Sequence, residues 1–181
     1  TDAEMRAWRG FIERSADLIN IITKDLEPYG LDGGDYQLLA MLSEAPGHKM
    51  KMCDLAQTLG LSRSGLTRRM DGVLKAKYVS RVGDQEDRRA VFAQITEKGL
   101  ALIKKVAPHH VASVRRHMID LLSPAEIAAF GTGFAKIGKQ LAPLLTGVFL
   151  QATQADQPIH QARHILLLAG ASSYFWHTFG S

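Results

Sequence analysis

Apolar residues recur along the chain with two different periods, and the change of period divides it into elements. Residues 5–26 carry an apolar side chain every three or four positions, which predicts a long amphipathic helix ended by Pro28 and Gly30. A second helix is expected over residues 35–44, before the break at Pro46. The apolar face of the first helix is wide, and we therefore expect it to need a partner surface.

Two short helices joined by a tight turn are predicted next. The first covers residues 52–59, Gly60 suits the turn, and Ser62 is a good N-cap for the second helix. In that second helix Leu66 and Met70 point inward. Its opposite face carries polar side chains, namely Arg63, Ser64, Thr67, Arg68 and Asp71.

Beyond Lys77 the apolar pattern changes to the alternation that is typical of strands. Residues 78–82 and 90–95 are the predicted strands. The wholly polar segment between them, residues 83–89, is the predicted tip of a hairpin.

The remaining pattern is helical. Thr96 caps a helix that is predicted to reach about Leu122, with a kink at Pro108. The sequence Ser123-Pro124-Ala125-Glu126 matches a capping box and predicts a further helix, which Pro143 is expected to close.

Residues 144–181 differ in composition, with only Asp156 and Arg163 charged. The uncharged stretch 164–181 is shorter than the roughly 20 apolar residues needed to cross a bilayer, and serines dilute it, so we expect no membrane association. Two interpretations stay open for this extension: an arm that packs on the helices of a dimer, or a cloning-derived or frameshift-derived addition.

Composition and charge narrow the class of protein. The 181 residues hold 46% hydrophobic residues and a single cysteine, which excludes a disordered chain and a disulfide scaffold. No signal peptide is visible and one cysteine fits a reducing compartment, so we expect a cytoplasmic protein. The formal net charge is +4, and residues 61–92 hold 8 Lys+Arg against 4 Asp+Glu, which accounts for the whole excess because 8 − 4 is also +4.

Helix, glycine turn, helix and hairpin follow one another in the order of a DNA-binding winged helix-turn-helix. The second helix of such a unit enters the major groove, where arginines such as Arg63 and Arg68 can bind guanine edges. Ser64 and Thr67 can meet a phosphate, a base edge or a thymine methyl, and Ser62 can add a phosphate contact.

The hairpin tip supplies a second candidate contact with DNA. Arg88 and Arg89 stand where an arginine on a narrow projection can enter a minor groove. Asp87 can pair with Arg89 and fix its direction.

Several motifs together resemble the MarR family of regulators over about residues 5–142. The motifs are Leu55-Ala56, Leu59-Gly60-Leu61-Ser62-Arg63-Ser64-Gly65-Leu66-Thr67-Arg68-Arg69, Tyr78-Val79-Ser80-Arg81, Asp87-Arg88-Arg89 and Ile95-Thr96-Glu97-Lys98-Gly99. The Asp-x-Arg wing motif and the Ile-Thr-x-x-Gly helix start are the most specific of them. The resemblance implies a mainly α fold with a small β-hairpin wing, dimeric through interlocking N- and C-terminal helices.

The resemblance also implies an arrangement of regions and partners. Residues 1–30 and 97–143 would form the helical dimerisation region, residues 31–96 the DNA-binding lobe, and residues 144–181 an extension without a counterpart. The expected partners are double-stranded DNA with a pseudo-palindromic operator, a second copy of the chain and a small anionic or phenolic effector. Members of the family typically repress transcription and release the DNA when such an effector, or an oxidant, acts on them. The expected DNA-binding residues are Ser62, Arg63, Ser64, Thr67, Arg68, Arg69, Asp87, Arg88 and Arg89, and the candidate ligand-binding residues are Trp8, Phe11 and Tyr36.

Other classes of function find little support in the sequence. No phosphate loop, nucleophile elbow or zinc-protease motif is present, so neither an enzyme nor a cofactor is expected. His110 and His117 share a helix face but lack nearby acidic or thiol ligands, so no metal is expected. Cys53 is interpreted as a packed or partly exposed structural thiol. The competing interpretation is a winged-helix protein-interaction module that uses the apolar extension as a docking arm.

Overall fold

A computed structural model of the chain describes residues 1–83 and 90–155, and side chains up to Ala142. In chain order its elements are α1 (Asp2–Lys24), α2 (Gly33–Glu44), β1 (Lys49–Lys51), α3 (Met52–Leu59), α4 (Arg63–Lys75), β2 (Val79–Gly83), β3 (Val91–Ile95), α5 (Glu97–His117) and α6 (Pro124–Ala155). Short 3-10 turns lie at Glu27–Tyr29, Pro46–His48 and Ile119–Leu121.

Side-chain oxygens at the first positions explain where several helices begin. An N-cap oxygen binds one of the backbone N–H groups that a helix start leaves without a partner. The expected caps Ser62 and Thr96 accept from Gly65 N at 3.0 Å and Gly99 N at 3.1 Å. The predicted capping box is confirmed, since Ser123 N donates to Glu126 Oε2 at 2.8 Å and Glu126 N donates to Ser123 Oγ at 3.4 Å.

The sheet has one strand more than the hairpin predicted from the sequence. Its order is β1-β3-β2, with both pairs antiparallel, and Met50 pairs with Ala93 while Arg81 pairs with Ala93 on the other side. The extra strand β1 has three residues, which is too short for an alternating pattern to stand out. It forms because the edge of β3 offers hydrogen-bonding groups to its backbone, and not because its own three residues favour a strand.

The core lies between α2, α3, α4, the sheet and the first half of α5. Its fully buried side chains include Leu38, Leu39, Leu42, Leu55, Leu66, Met70, Val73, Ile103 and Val106. This core holds the helix-turn-helix against the sheet and so sets which face of α4 stays outside.

Two helix ends differ from the prediction. α5 ends at His117 and not near Leu122, because Met118 leaves helical geometry at φ −141° and Arg115 pairs with Asp120 across the turn at 2.6 Å. The expected end of the last helix at Pro143 is wrong, since α6 continues to Ala155.

A proline removes one backbone donor and bends a helix, but the helix can continue when good helix formers lie on both sides, as α5 does at Pro108. Residues 156–181 of the extension lie outside the described residues.

The architecture confirms the expected fold class, a mainly α winged helix-turn-helix with a small antiparallel wing sheet. In the part of the chain that the structure describes, no helix combines the length and the apolar character that crossing a membrane requires.

Candidate nucleic-acid interface

The turn between α3 and α4 has the geometry of a helix-turn-helix. Gly60 ends α3 with φ +64°, a left-handed conformation that favours glycine, and Leu61 N donates to Ala56 O at 2.9 Å. Ser62 then caps α4. The glycine turn and the serine cap together fix where α4 begins, and Arg63 and Ser64 in its first turn are exposed.

One face of α4 presents the expected polar side chains to solvent. Arg63, Ser64, Thr67 and Arg68 are exposed, whereas Leu66 and Met70 on the opposite face are buried. Within residues 1–83 and 90–142, neither Arg63 nor Arg68 forms an ion pair. Their guanidinium groups are therefore available for an external anion.

The hydroxyl groups on this face are already partly oriented by the helix. Thr67 Oγ1 donates to Arg63 O at 3.0 Å, while the Thr67 side chain stays exposed. The hydroxyl oxygens of Ser62 and Ser64 lie 3.1 Å apart beside the helix N-terminus, where backbone N–H groups favour an anion.

Arg69 is placed differently from the other arginines expected to bind DNA. It turns towards α2, where its Nη1 donates to the Asp32 carboxylate at 2.8 and 2.6 Å and reaches Asp35 Oδ1 at 3.5 Å. Burial opposes ionisation of Asp32, but hydrogen bonds from Asp35 N and from Arg69 outweigh it and hold the pKa of Asp32 below its usual value. The structure thus separates Arg69 from the exposed group on α4.

The stem of the wing is formed by β2 and β3, with five residue pairs from Val79–Ile95 to Gly83–Val91. Asp87, Arg88 and Arg89 at its tip lie outside the described residues.

Two further cations on β1 were missed by the sequence reasoning. Lys49 and Lys51 are exposed and alternate with the half-buried Met50, and Lys49 Nζ lies 4.9 Å from the centroid of the Phe92 ring. The signal that could have found them is the alternation Lys-Met-Lys just before α3. Both lysines add positive charge to the lobe that carries α4.

The three candidate ligand-binding residues fall into two aromatic clusters. Trp8 and Phe11 belong to a row in which Phe11 lies 5.6 Å from Phe134 of α6, and Phe134 lies 4.5 Å from Phe130. Tyr36 instead packs on His110 of α5, with ring centroids 4.4 Å apart. Among the ring contacts of the described residues, none joins the two clusters.

The Tyr36–His110 cluster contains buried polar atoms. His110 Nδ1 and, one residue after Tyr36, Gln37 Nε2 are buried without a hydrogen-bond partner among the described residues. Burial lowers the pKa of His110 to about 4 and raises that of Tyr36, so both rings are neutral near neutral pH.

His117 and Cys53 lie away from the aromatic clusters. His117 Nε2 lies 3.8 Å from Asp25 Oδ2, away from the Tyr36 cluster, and the residues that the structure describes hold no group of three metal-ligating side chains. Of the two states expected for Cys53, packed or partly exposed, the packed one is wrong: the residue is exposed, and its Sγ donates to Asp54 Oδ1 at 3.3 Å.

Comparison with known proteins adds independent findings. A sequence model described as MarR family matches residues 29–90. The chain is 32% identical over 126 residues to the HTH-type transcriptional regulator PecS of Dickeya dadantii, which covers 68% of this chain and 73% of PecS. It is 27% identical over 85 residues to the HTH-type transcriptional repressor YetL of Bacillus subtilis and spans about half of that relative, 51%.

Solved structures give the same picture for the fold. AbsC, a MarR family transcriptional regulator from Streptomyces coelicolor, has 42% identity and a TM-score of 0.69, covering 82% of this chain and 95% of AbsC. Sco3205, a MarR family regulator from the same organism solved in complex with DNA, has 29% identity and a TM-score of 0.73, covering 78% of this chain and 89% of Sco3205.

Proposed function

This chain belongs to the MarR family of winged-helix transcriptional regulators, and on that premise we propose that it is a homodimeric, ligand-responsive repressor of a pseudo-palindromic operator. The observation that carries the proposal is the exposed polar face of α4, where Arg63 and Arg68 stand without an internal partner among the described residues. A helix presented in this way by a helix-turn-helix fits the major groove.

The proposed contacts divide by chemistry. Arg63 and Arg68 bind guanine edges, and Thr67 offers its methyl group to thymine. Ser62 and Ser64 bind a phosphate at the N-terminus of α4. At the wing, Arg89 enters the minor groove with Asp87 fixing its direction, and Arg88 is a second arginine able to enter it.

The proposed dimer uses the helices outside the lobe. Residues 1–30 and 97–143 form the dimerisation region, and residues 31–96 form the DNA-binding lobe. Support comes from the apolar side chains that α1 and α6 leave exposed, among them Trp8, Ile12, Phe130 and Ile137.

The proposed effector is a small anionic or phenolic molecule bound beside Tyr36 and His110. The unpartnered Nδ1 of His110 and Nε2 of Gln37 supply a polar group in an aromatic setting, which is the usual make-up of a small-molecule site. Trp8 and Phe11 then border the dimer face. A mobility-shift assay with added 4-hydroxybenzoate tests this: release of DNA that is lost in Tyr36→Ala supports the site, and equal release from both proteins contradicts it.

The test of DNA recognition is Arg63→Ala, measured by mobility shift on a selected duplex and on its scrambled version. If Arg63 binds a base, the variant loses about 1–3 kcal/mol on the selected duplex and little on the scrambled one. Arg9→Ala removes the same charge from the exposed N-terminal part of α1 and serves as the control, with the preference for the selected duplex retained.

The same assay separates the repressor from the competing class. A DNA-binding lobe binds any duplex at low salt, with an affinity that falls steeply as salt rises. Wild-type protein that fails to bind random duplex at low salt would favour the winged-helix protein-interaction module instead.

A further inference from the structure

The ion pair between Arg69 and the start of α2 connects the helix proposed to enter the major groove with a different part of the lobe. Arg69 follows Arg68 directly, yet its side chain is only 30% exposed and its partners lie 37 and 34 residues away in the sequence. One nitrogen contacts both oxygens of Asp32 at 2.6–2.8 Å, and Asp35 lies at 3.5 Å. A local contact within α4 cannot fix the tilt of the helix, whereas a bond to α2 can.

The backbone beside this ion pair is shaped around the arginine. A Cβ added to Gly34 would lie 2.6 Å from Arg69 Cζ and 2.9 Å from its Nε and Nη1. The guanidinium thus rests against the bare backbone of α2, and any side chain larger than that of glycine at position 34 would displace it.

Asp32 is bound on two sides at once. Its Oδ1 accepts from Asp35 N at 2.7 Å as the N-cap of α2 and also accepts from Arg69. The N-cap hydrogen bond fixes the Asp32 carboxylate relative to α2. The position of the Arg69 guanidinium is therefore tied to that of α2.

We propose that Arg69 is a positioning residue: it clamps α4 against α2 through Asp32 and Gly34 and sets the angle at which Arg63 and Arg68 meet the DNA, without contacting DNA itself. The assignment rests on the proposed DNA recognition by α4. It replaces the direct contact that the sequence suggested for Arg69 by an indirect one.

Gly34→Ala tests the clamp without changing any charge. Alanine is a better helix former than glycine, so the variant is expected to fold, while its Cβ pushes the guanidinium away from Asp32. Selectivity is measured as the ratio of the affinity for a selected duplex to that for its scrambled version. We expect the ratio to fall about fivefold or more, because discrimination depends on well-aligned base contacts.

The matched variants isolate the arginine. Gly72→Ala, at an exposed position of α4 where an added Cβ meets nothing within 4 Å, should keep the wild-type ratio. Arg69→Met should lower the ratio as Gly34→Ala does, and the double variant should be no worse than Arg69→Met, because the clash needs the guanidinium. Asp32→Asn keeps an oxygen for the N-cap and removes a negative charge, so it should raise affinity for both duplexes while lowering their ratio.

A wild-type ratio in Gly34→Ala would overturn the proposal. It would also be overturned if Arg69→Met lost the same affinity on both duplexes and showed a shallower salt dependence, because that result would mean a direct phosphate contact. Hydrogen exchange of the amides of residues 63–75 provides a readout without DNA: faster exchange in Gly34→Ala and Arg69→Met supports the clamp, and unchanged exchange overturns it. Wild-type protein without any sequence preference would instead overturn the proposed recognition of DNA, while the exchange result on the clamp would still stand.

Discussion

The winged-helix lobe and the terminal helices hold their apolar side chains in opposite ways. Leu38 and Met70 in the lobe are 0% exposed, whereas Trp8 of α1 and Phe130 of α6 are 61% and 46% exposed. The lobe completes its core within one chain, and α1 and α6 leave aromatic surface open to water. The lobe therefore satisfies its apolar side chains within one chain, whereas the apolar side chains of α1 and α6 match the dimer surface that we propose.

The largest expected effect is the loss of stability caused by a cavity in the core of the winged-helix lobe. Leu38→Ala should lower the free energy of unfolding by about 2–5 kcal/mol, because it empties a fully buried site. Urea unfolding measures the loss, which should not change with protein concentration. The control is Leu121→Ala, the same chemical change at a site 72% exposed, which at high dilution should cost about 0.5 kcal/mol or less.

A second prediction concerns the seam between the two parts, where His110 of α5 packs on Tyr36 of α2. The pKa of His110 falls from 6.5 to about 4 because the ring is buried, so the unfolded chain takes up the proton first as pH falls. The free energy of unfolding should therefore decline between pH 6.5 and 4, by up to about 3 kcal/mol from this group.

His110→Phe keeps an aromatic ring and should remove this part of the pH dependence in urea unfolding. His109→Phe, at an exposed neighbour that packs on Tyr29, should keep it. Equal pH profiles for wild type and His110→Phe would contradict the assignment.

The smallest expected effect is on dimerisation through the terminal helices. Phe130→Ser should weaken dimerisation about five- to tenfold, because about half of a phenylalanine surface, worth about 1 kcal/mol, remains to be buried by a partner. Sedimentation equilibrium measures the dissociation constant. A constant equal to that of the wild type would remove α6 from the dimer interface at this position.

Much of the fold followed from local signals in the sequence. Gly60, Ser62 and the Ser123–Glu126 capping box predicted helix boundaries because caps depend on neighbouring residues. The exposed face of α4 followed from the burial of Leu66 and Met70, which occupy the opposite side of the same helix.

The features that the sequence did not predict depend on contacts between distant segments. β1 forms through hydrogen bonds from β3, more than 40 residues later in the chain. Arg69 looks like its neighbour Arg68 in the sequence, and only the structure shows that it pairs with Asp32, 37 residues earlier in the chain. α6 continues past Pro143 because helix formers on both sides of a proline can outweigh its preference to end a helix.

Sequencing of DNA selected from a random pool by the full chain tests the central claim most directly, since it reports recognition by α4 and dimerisation together. The account predicts an inverted repeat whose half-site centres lie one helical turn apart, roughly 34–36 Å. A single unrepeated half-site would contradict the dimer, and no enrichment of any sequence would contradict recognition of DNA by α4.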